Sequence, residues 1–247
     1  MAALKLSYAV FCYLIGLGGL TYFALFLSGW EILPLHISSK EPGDLYFALA
    51  VNLGLILLWS LQHSVMARPA FKRGWTKIVP ADLERATYVL GSGIVMLLIC
   101  WFWEPLEGSA WHFNHNVIEG ILVGLYAAGF LGAVAASFMV NHFELFGLQQ
   151  AYYAAKNRPA PAGAFKEVLF YRIVRHPIQV GMILTLWCTA TMGMTRFMLA
   201  TTMTVYIFIG LYFEEKDLVA DLGDDYTDYR ARVRALLPLP KKPVGRA

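Results

Sequence analysis

The sequence predicts an all-α, polytopic membrane protein of about six transmembrane helices, closing with a C-terminal helical hairpin and a cytoplasmic tail. Three observations carry that prediction. Hydrophobic residues make up 58% of the 247-residue chain and charged residues only 15%, against roughly half and a quarter in soluble domains. Apolar runs of about 20 residues, the length of one helical bilayer crossing, recur along it. Once six crossings are drawn, eighteen of the 20 lysines and arginines fall on one side. A soluble globular protein, a disordered chain and a collagen-like fibre are excluded, and the short alternating segments of a transmembrane barrel are absent.

The first run, Tyr8–Trp30, follows a single Lys5. It is too long for a signal-peptide core and runs on without a cleavage site, so it reads as a retained span. Leu45–Met66, Ala86–Trp103 and Val117–Val140 follow as the second to fourth. Ile178–Met194 and Phe197–Phe213, parted only by a turn at Thr195-Arg196, are expected to form a tight hairpin. Residues 1–247 read as one domain, a four-span part (1–140) followed by a linker, hairpin and tail (141–247).

With these spans the outer loops contain only Lys40 and Arg196, which puts both termini in the cytoplasm. Trp30, Trp101, Trp103 and Trp111 fall near outer ends, as an interfacial aromatic belt would. Cys12, Cys100 and Cys188 stand apart in apolar runs and read as packing residues. The net charge of +3 is modest, and no nucleic-acid partner is expected.

Polar side chains within the spans are few, and each costs free energy unless paired or facing a cavity. In the second span Asn52, Trp59 and His63 recur at helical spacing, with Gln62 and Ser64 beside the histidine. They line a pocket in which His63 acts as a base, or they make interhelical hydrogen bonds. After the fourth span, Asn141, His142 and Glu144 bring donors and acceptors together at a membrane exit, where a helix end with a snorkelling glutamate is the plainer alternative. His112, His115 and Glu119 read as solvated interface residues, and no metal site is expected.

The strongest pattern flanks the hairpin. Tyr171-Arg172-Ile173-Val174-Arg175-His176-Pro177-Ile178-Gln179 leads into the fifth span, and Glu214-Glu215 closes the sixth. Pro177 suits a first helical turn. The free backbone donors there, beside Arg175 and His176, suit a carboxylate, whereas the paired acids suit an ammonium. An amino acid-like moiety carries both groups.

The combination R-H-P-x-x-x-G, a short hairpin, then E-E-x-x-L and G-x-x-Y-x-x-Y resembles the isoprenylcysteine carboxyl methyltransferase-like membrane methyltransferases. That group also takes in phospholipid N-methyltransferases and the NnrU-like, nitrite-reduction-associated membrane proteins. The resemblance covers Phe165 to Pro240, about the C-terminal third. The stretch N-H-F-E-L-F-G-L-Q (Asn141–Gln149) and Gln62-His63-Ser64 are similar to the branch that methylates methanethiol to dimethyl sulfide.

The resemblance implies S-adenosylmethionine as cofactor, held by Tyr171, His176, Pro177, Ile178, Gln179 and Glu214, with Gln149 before the linker a further match; Arg175 and Glu215 join the expected site from the charge pattern described above. Gln179 stands where relatives often have tyrosine. Gly210 replaces an arginine that meets substrate in prenylcysteine enzymes, which favours a small neutral acceptor. A thiol acceptor must lose its proton, and His142, His63 or Glu144, with Asn141 adjacent, are the candidates to take it or orient it. The rivals are a methyltransferase acting on a prenylcysteine or phospholipid, and a non-enzymatic accessory protein binding haem through His63 and His142.

Overall fold

A computed structural model describes residues 2–161 and 166–239. Phe165 and Pro240, and the tail cations Lys241, Lys242 and Arg246, lie outside the described residues.

Helices form where apolar runs lack breakers and stop where turn residues stand. The first, α1 (Ala2–Ser28), ends at Gly29, whose φ of +71° only glycine adopts freely. Asp44 opens α2 (Leu45–Ala67), its carboxylate accepting from the Phe47 N–H at 2.8 Å. Pro69 starts the short α3 (Pro69–Trp75) and Pro80 precedes α4 (Ala81–Phe102). Next come α5 (Asn116–Val140), the single-turn α6 (His142–Leu145) and α7 (Leu148–Ala155). A 3-10 turn at Leu169–Arg172 leads into α8 (Pro177–Trp187), α9 (Met194–Leu222) and α10 (Asp224–Arg232). Two strands, β1 (Ser109–His112) and β2 (Thr191–Gly193), pair antiparallel with His112 opposite Thr191.

Among the described residues five helices, α1, α2, α4, α5 and α9, are long and apolar enough to cross a bilayer, and α8 is a shorter apolar helix. The molecule is an all-α integral membrane protein. The penultimate crossing differs in detail from the expected Ile178–Met194. Its helix has 11 residues, about 16 Å of rise, or half of a ~30 Å hydrocarbon core. Residues 188–193, including β2, make the connection to α9. The hairpin turn therefore falls there, and Thr195 and Arg196 lie buried in the first turn of α9.

The reason is the Arg196 side chain, which acts as a cap and not as an outer-loop cation. Its guanidinium donates to the carbonyls of Thr185 at 3.0 Å, Leu186 at 3.1 Å, Cys188 at 3.2 Å and Leu27 at 2.8 Å. Irregular backbone at membrane depth persists only where protein groups satisfy its polar atoms. Arg196 does this at the end of α8 and ties it to α1.

Glycines set the closest helix pairs. A Cβ on Gly19 of α1 would stand 2.7 Å from the Gly93 carbonyl of α4, and one on Gly129 of α5 would stand 2.7 Å from that of Gly181 of α8. Lipid gives helices little hydrophobic drive to associate, so backbone-to-backbone packing of this kind substitutes for it. Near the C-terminal end of α4 Asn52 is wholly buried, donating to the Glu104 carbonyl and accepting from its N–H, each at 2.8 Å. It thus takes the packing role. Trp30 and Trp101 are exposed, but Trp103 is 2% exposed and belongs to the core with Phe26, Ile99 and Leu199.

Replacing Arg196 with methionine leaves several buried carbonyls unmet and should cost at least about 3 kcal/mol. Thermal unfolding in detergent measures it, with Arg196→Lys falling between. Unchanged melting of both variants would show that the carbonyls have other partners.

Candidate active site

The foot of the α8–α9 hairpin is assembled from four segments. Trp187 Nε1 donates to Thr204 Oγ1 at 2.8 Å near one end of the pair, and Gln179 Nε2 to Glu214 Oε2 at 3.3 Å near the other. The two helices are antiparallel, so the start of α8 meets the acids of α9. Because α9 runs unbroken to Leu222, Glu214 and Glu215 sit inside a helix and their side chains have fixed directions.

Glu215 is the nearly buried centre. Its Oε1 accepts from Arg175 Nε at 2.7 Å, His176 Nε2 at 2.7 Å and the Tyr226 hydroxyl at 3.0 Å, while Oε2 lies 3.2 Å from Arg230 Nε. Arg175 also donates to the carbonyls of Val233 and Arg230. Backbone bonds complete the lock: Arg175 N–H to the Arg234 carbonyl at 2.9 Å and His176 N–H to that of Ala235 at 3.1 Å, next to a parallel bridge between Val174 and Arg234. The Tyr229 hydroxyl reaches the Tyr171 carbonyl at 2.5 Å. Burial and the charge of Glu215 push the Tyr226 phenol well above its ordinary pKa.

Glu214 is different. Its side chain is 47% exposed and its carboxylate stands 3.8 Å from His176 Nδ1. Burial, then the charge of Glu214, pushes the Tyr171 phenol up to about 12. Pro177 is buried at the first position of α8, and the N–H groups of Ile178 and Gln179 are among those a helix start leaves without internal acceptors. A half-open acid and the backbone donors of a helix start therefore share one edge of the hairpin. This is a donor and acceptor set that an α-amino acid moiety would satisfy.

The segment after α5 forms a second network. Asn141 Nδ2 donates to Glu144 Oε2 at 2.8 Å and Gln149 Oε1 at 2.7 Å, and its Oδ1 caps the Glu144 N–H. Gln149 also lines a cavity of about 320 Å³ with Leu6, Phe143, Leu148, Tyr152 and Tyr153. Gly147, at φ +82°, presses on α4, where an added Cβ would stand 2.8 Å from Ala86 Cα.

His142 is buried against Phe138, centroids 3.9 Å apart. Ser137 Oγ gives its proton to the Val134 carbonyl at 2.6 Å, so it accepts from His142 Nδ1–H at 2.7 Å. The Tyr13 hydroxyl then donates to Nε2 at 3.0 Å. Both ring nitrogens are engaged.

His63 sits elsewhere, between α2, α4 and α9. It stacks on Trp59 at 4.7 Å, and Tyr206 packs edge-on to Trp59 at 4.9 Å. Ser92 Oγ has acceptors at Gln62 Oε1 and the Tyr88 carbonyl, both at 3.1 Å, so its oxygen accepts from Nδ1–H at 3.2 Å. The lone pair then lies on Nε2, with the Tyr88 hydroxyl 3.0 Å away. No group of three or more His, Cys, Asp or Glu side chains suited to a metal occurs among the described residues.

The structure thus brings Tyr171, Arg175, His176, Pro177, Ile178, Gln179, Glu214 and Glu215 together, and separately Asn141, Glu144 and Gln149. It gives His63 and His142 different partners. Tyr13, Ser137, Tyr88, Ser92 and Tyr206 escaped the sequence reading. The polar stripe Glu84–Tyr88–Ser92, spaced four apart in an otherwise apolar run, was the available signal for two of them.

Fold and site together define a helical integral membrane protein with a polar, charge-paired foot on its last hairpin. The chain belongs to the methanethiol S-methyltransferase family. It is 40% identical over 233 residues to the methanethiol S-methyltransferase of Crocosphaera subtropica, covering 94% of this chain and 91% of that protein. It is 38% identical over 239 residues to the one from Mycobacterium tuberculosis, covering 97% and 98%. Human nurim is a more distant relative, 28% identical over 190 residues, covering 74% of this chain and 72% of nurim. No protein-family model and no solved structure matches the chain.

Burial holds the His142 imidazole below its usual pKa. The unfolded chain therefore binds that proton first, and the stability of the neutral ring is present above about pH 6.5 and lost as pH falls below it. The melting temperature should fall between pH 7 and 5, and the fall should be shallower in His142→Phe. Parallel slopes for the two proteins would show that His142 does not contribute.

Proposed function

We propose that this protein is an S-adenosylmethionine-dependent thiol S-methyltransferase that converts methanethiol to dimethyl sulfide at a cytoplasmic-side site. The observation that carries the reading is the 36–41% identity, over most of the chain, to proteins named for that activity. The hairpin foot supports it. Glu214 is open to an ammonium, and the N–H groups of Ile178 and Gln179 are open to a carboxylate at the positive end of α8. The Tyr171 ring offers a flat wall. Arg175 and Glu215 serve as the frame of this site, and Asn141, Glu144 and Gln149 shape its approach from the linker. Both termini lie in the cytoplasm, on the side where α3, α6, α7 and α10 gather.

The bound donor supplies an electrophilic methyl on a sulfonium, transferred in line to the acceptor sulfur. What the protein adds is alignment and proton removal. His63 takes the thiol proton at Nε2 in place of the Tyr88 hydroxyl that this nitrogen meets in the structure, held in that tautomer by Ser92 and kept in plane by stacking on Trp59. Tyr206, on the same helix as Glu214 and two turns away, joins the base to the donor site through α9. That is about 12 Å of axial rise, within the span of the donor and a small thiol together. The apolar, aromatic surround favours a step in which a cation and a thiolate become neutral.

Purified protein given S-adenosylmethionine and methanethiol should release dimethyl sulfide into the headspace; none released would overturn the reading. Glu214→Gln should weaken donor binding by calorimetry roughly tenfold or more, the worth of one charge-assisted contact. Glu215→Gln should chiefly lower the melting temperature. If Glu214→Gln binds the donor as the parent does, the ammonium contact lies elsewhere.

A further inference from the structure

We infer that the segment joining α2 to α4, residues 68–80, is a docking surface for anionic phospholipid headgroups, which Arg73 and Lys77 receive. The inference goes beyond the thiol methyltransferase reading and does not depend on it.

Both flanks of this segment are helices long and apolar enough to cross the bilayer, so it is tethered to the boundary between lipid and water. It carries four cations, Arg68, Lys72, Arg73 and Lys77, and no acid. Its helix, α3, is two-sided. At 100° per residue Phe71 and Trp75 share one side, where their rings stack with centroids 5.7 Å apart, and Arg73 falls on the opposite side. Past the helix the N–H groups of Ile78 and Val79 both bond to the Trp75 carbonyl, at 3.0 and 2.9 Å, and Ile78 stands 78% exposed. Aromatic rings and an open isoleucine set beside cations are the composition of an interfacial helix, with apolar groups at the acyl boundary and charges among the phosphates.

The acids of neighbouring elements divide the four cations into two pairs. Asp217 of α9 takes Arg68 at 2.9 Å, and the same guanidinium lies 5.1 Å over the Phe213 ring. Glu84 of α4 stands 3.8 Å from Lys72 Nζ. Asp82, the other acid in the first turn of α4, is held by Lys5 of α1 at 2.8 Å. Arg73 and Lys77 are exposed, and among the described residues their side chains have neither an ion-pair nor a hydrogen-bond partner.

Charge complementarity names the occupant. Two unanswered cations fixed at a lipid surface attract anionic headgroups in preference to zwitterionic ones, whose own ammonium repels them. Arg73 adds paired N–H donors that match a phosphate. A soluble polyanion such as RNA would meet the same charges but leave Ile78 in water. A phospholipid answers both, its phosphate on the cations and its chains against the isoleucine.

The test is native mass spectrometry of the full-length protein in a neutral detergent, titrated with phosphatidylglycerol or with phosphatidylcholine of the same acyl chains. Phosphatidylglycerol should bind roughly thirtyfold tighter, about fivefold for each free cation. Arg73→Gln and Lys77→Gln should each remove about fivefold of that preference and the double variant nearly all of it, whereas Arg73→Lys should keep most. None of these variants should melt differently in lipid-free detergent, because neither side chain has a partner in the fold. Arg158→Gln, which removes an exposed cation from another connection, should change binding less than about twofold. Equal affinity of the parent for the two lipids would overturn the inference, as would an equal loss in Arg158→Gln, which would mark a general charge effect. So would displacement of phosphatidylglycerol by a single-stranded RNA or by glycerol phosphate at matched concentration, or a lower melting temperature of the variants without lipid. No step of the test involves methyl transfer, so its failure leaves the functional reading untouched.

Discussion

The Glu215 carboxylate holds the functional end of the molecule in one piece. It is the point where α8, α9 and α10 meet, and it receives an arginine, a histidine and a tyrosine on one oxygen and a second arginine on the other. A buried ion pair returns its desolvation cost only when the remaining donors and acceptors are also satisfied. Here Arg175 goes on to two backbone carbonyls at the end of α10, so the charge is matched and the geometry fixed together. Glu214 can remain open beside it because its neighbour carries the structural duty. Two adjacent acids of one helix thereby do different jobs, set by which face of α9 each occupies.

Much of this was legible in the sequence. Apolar length and the bias of positive charge gave the class of fold, and the pairing of Arg175-His176-Pro177 with Glu214-Glu215 pointed to the hairpin foot. The internal assignment was not legible. An arginine before a helix and a glutamate after one read equally well as ligand contacts or as each other's partner. Which holds depends on the few ångströms that separate them, and only the register of α8 against α9 decides that. Arg196 misled for a related reason: composition counts a cation in a short connection as exposed, whereas here the carbonyls of a helix end draw it inside.

The histidines show the same limit. His63 and His142 sit at comparable places in the sequence, each near the end of a span with polar neighbours. Each ring meets a serine at Nδ1 and a tyrosine hydroxyl at Nε2, Ser137 and Tyr13 for His142 and Ser92 and Tyr88 for His63. The partners come from helices far away in the chain, and no local pattern encodes them. Asn52, Trp59 and His63, which share a helical stripe, divide in the same manner: the asparagine is spent on the Glu104 backbone and the two rings on each other.

The glycine contacts carry a mechanical consequence. Where the backbone of α1 lies on that of α4, and that of α5 on α8, interlocked main chains resist both sliding and separation. The seam between α2 and α9 is bridged instead by side-chain tips, the Ser64 and Tyr206 hydroxyls at 2.9 Å and the exposed Arg68–Asp217 pair at 2.9 Å. The rings of Trp59, His63 and Tyr206 border that seam, so the surroundings of His63 are held by side chains that can turn and not by main chains that cannot.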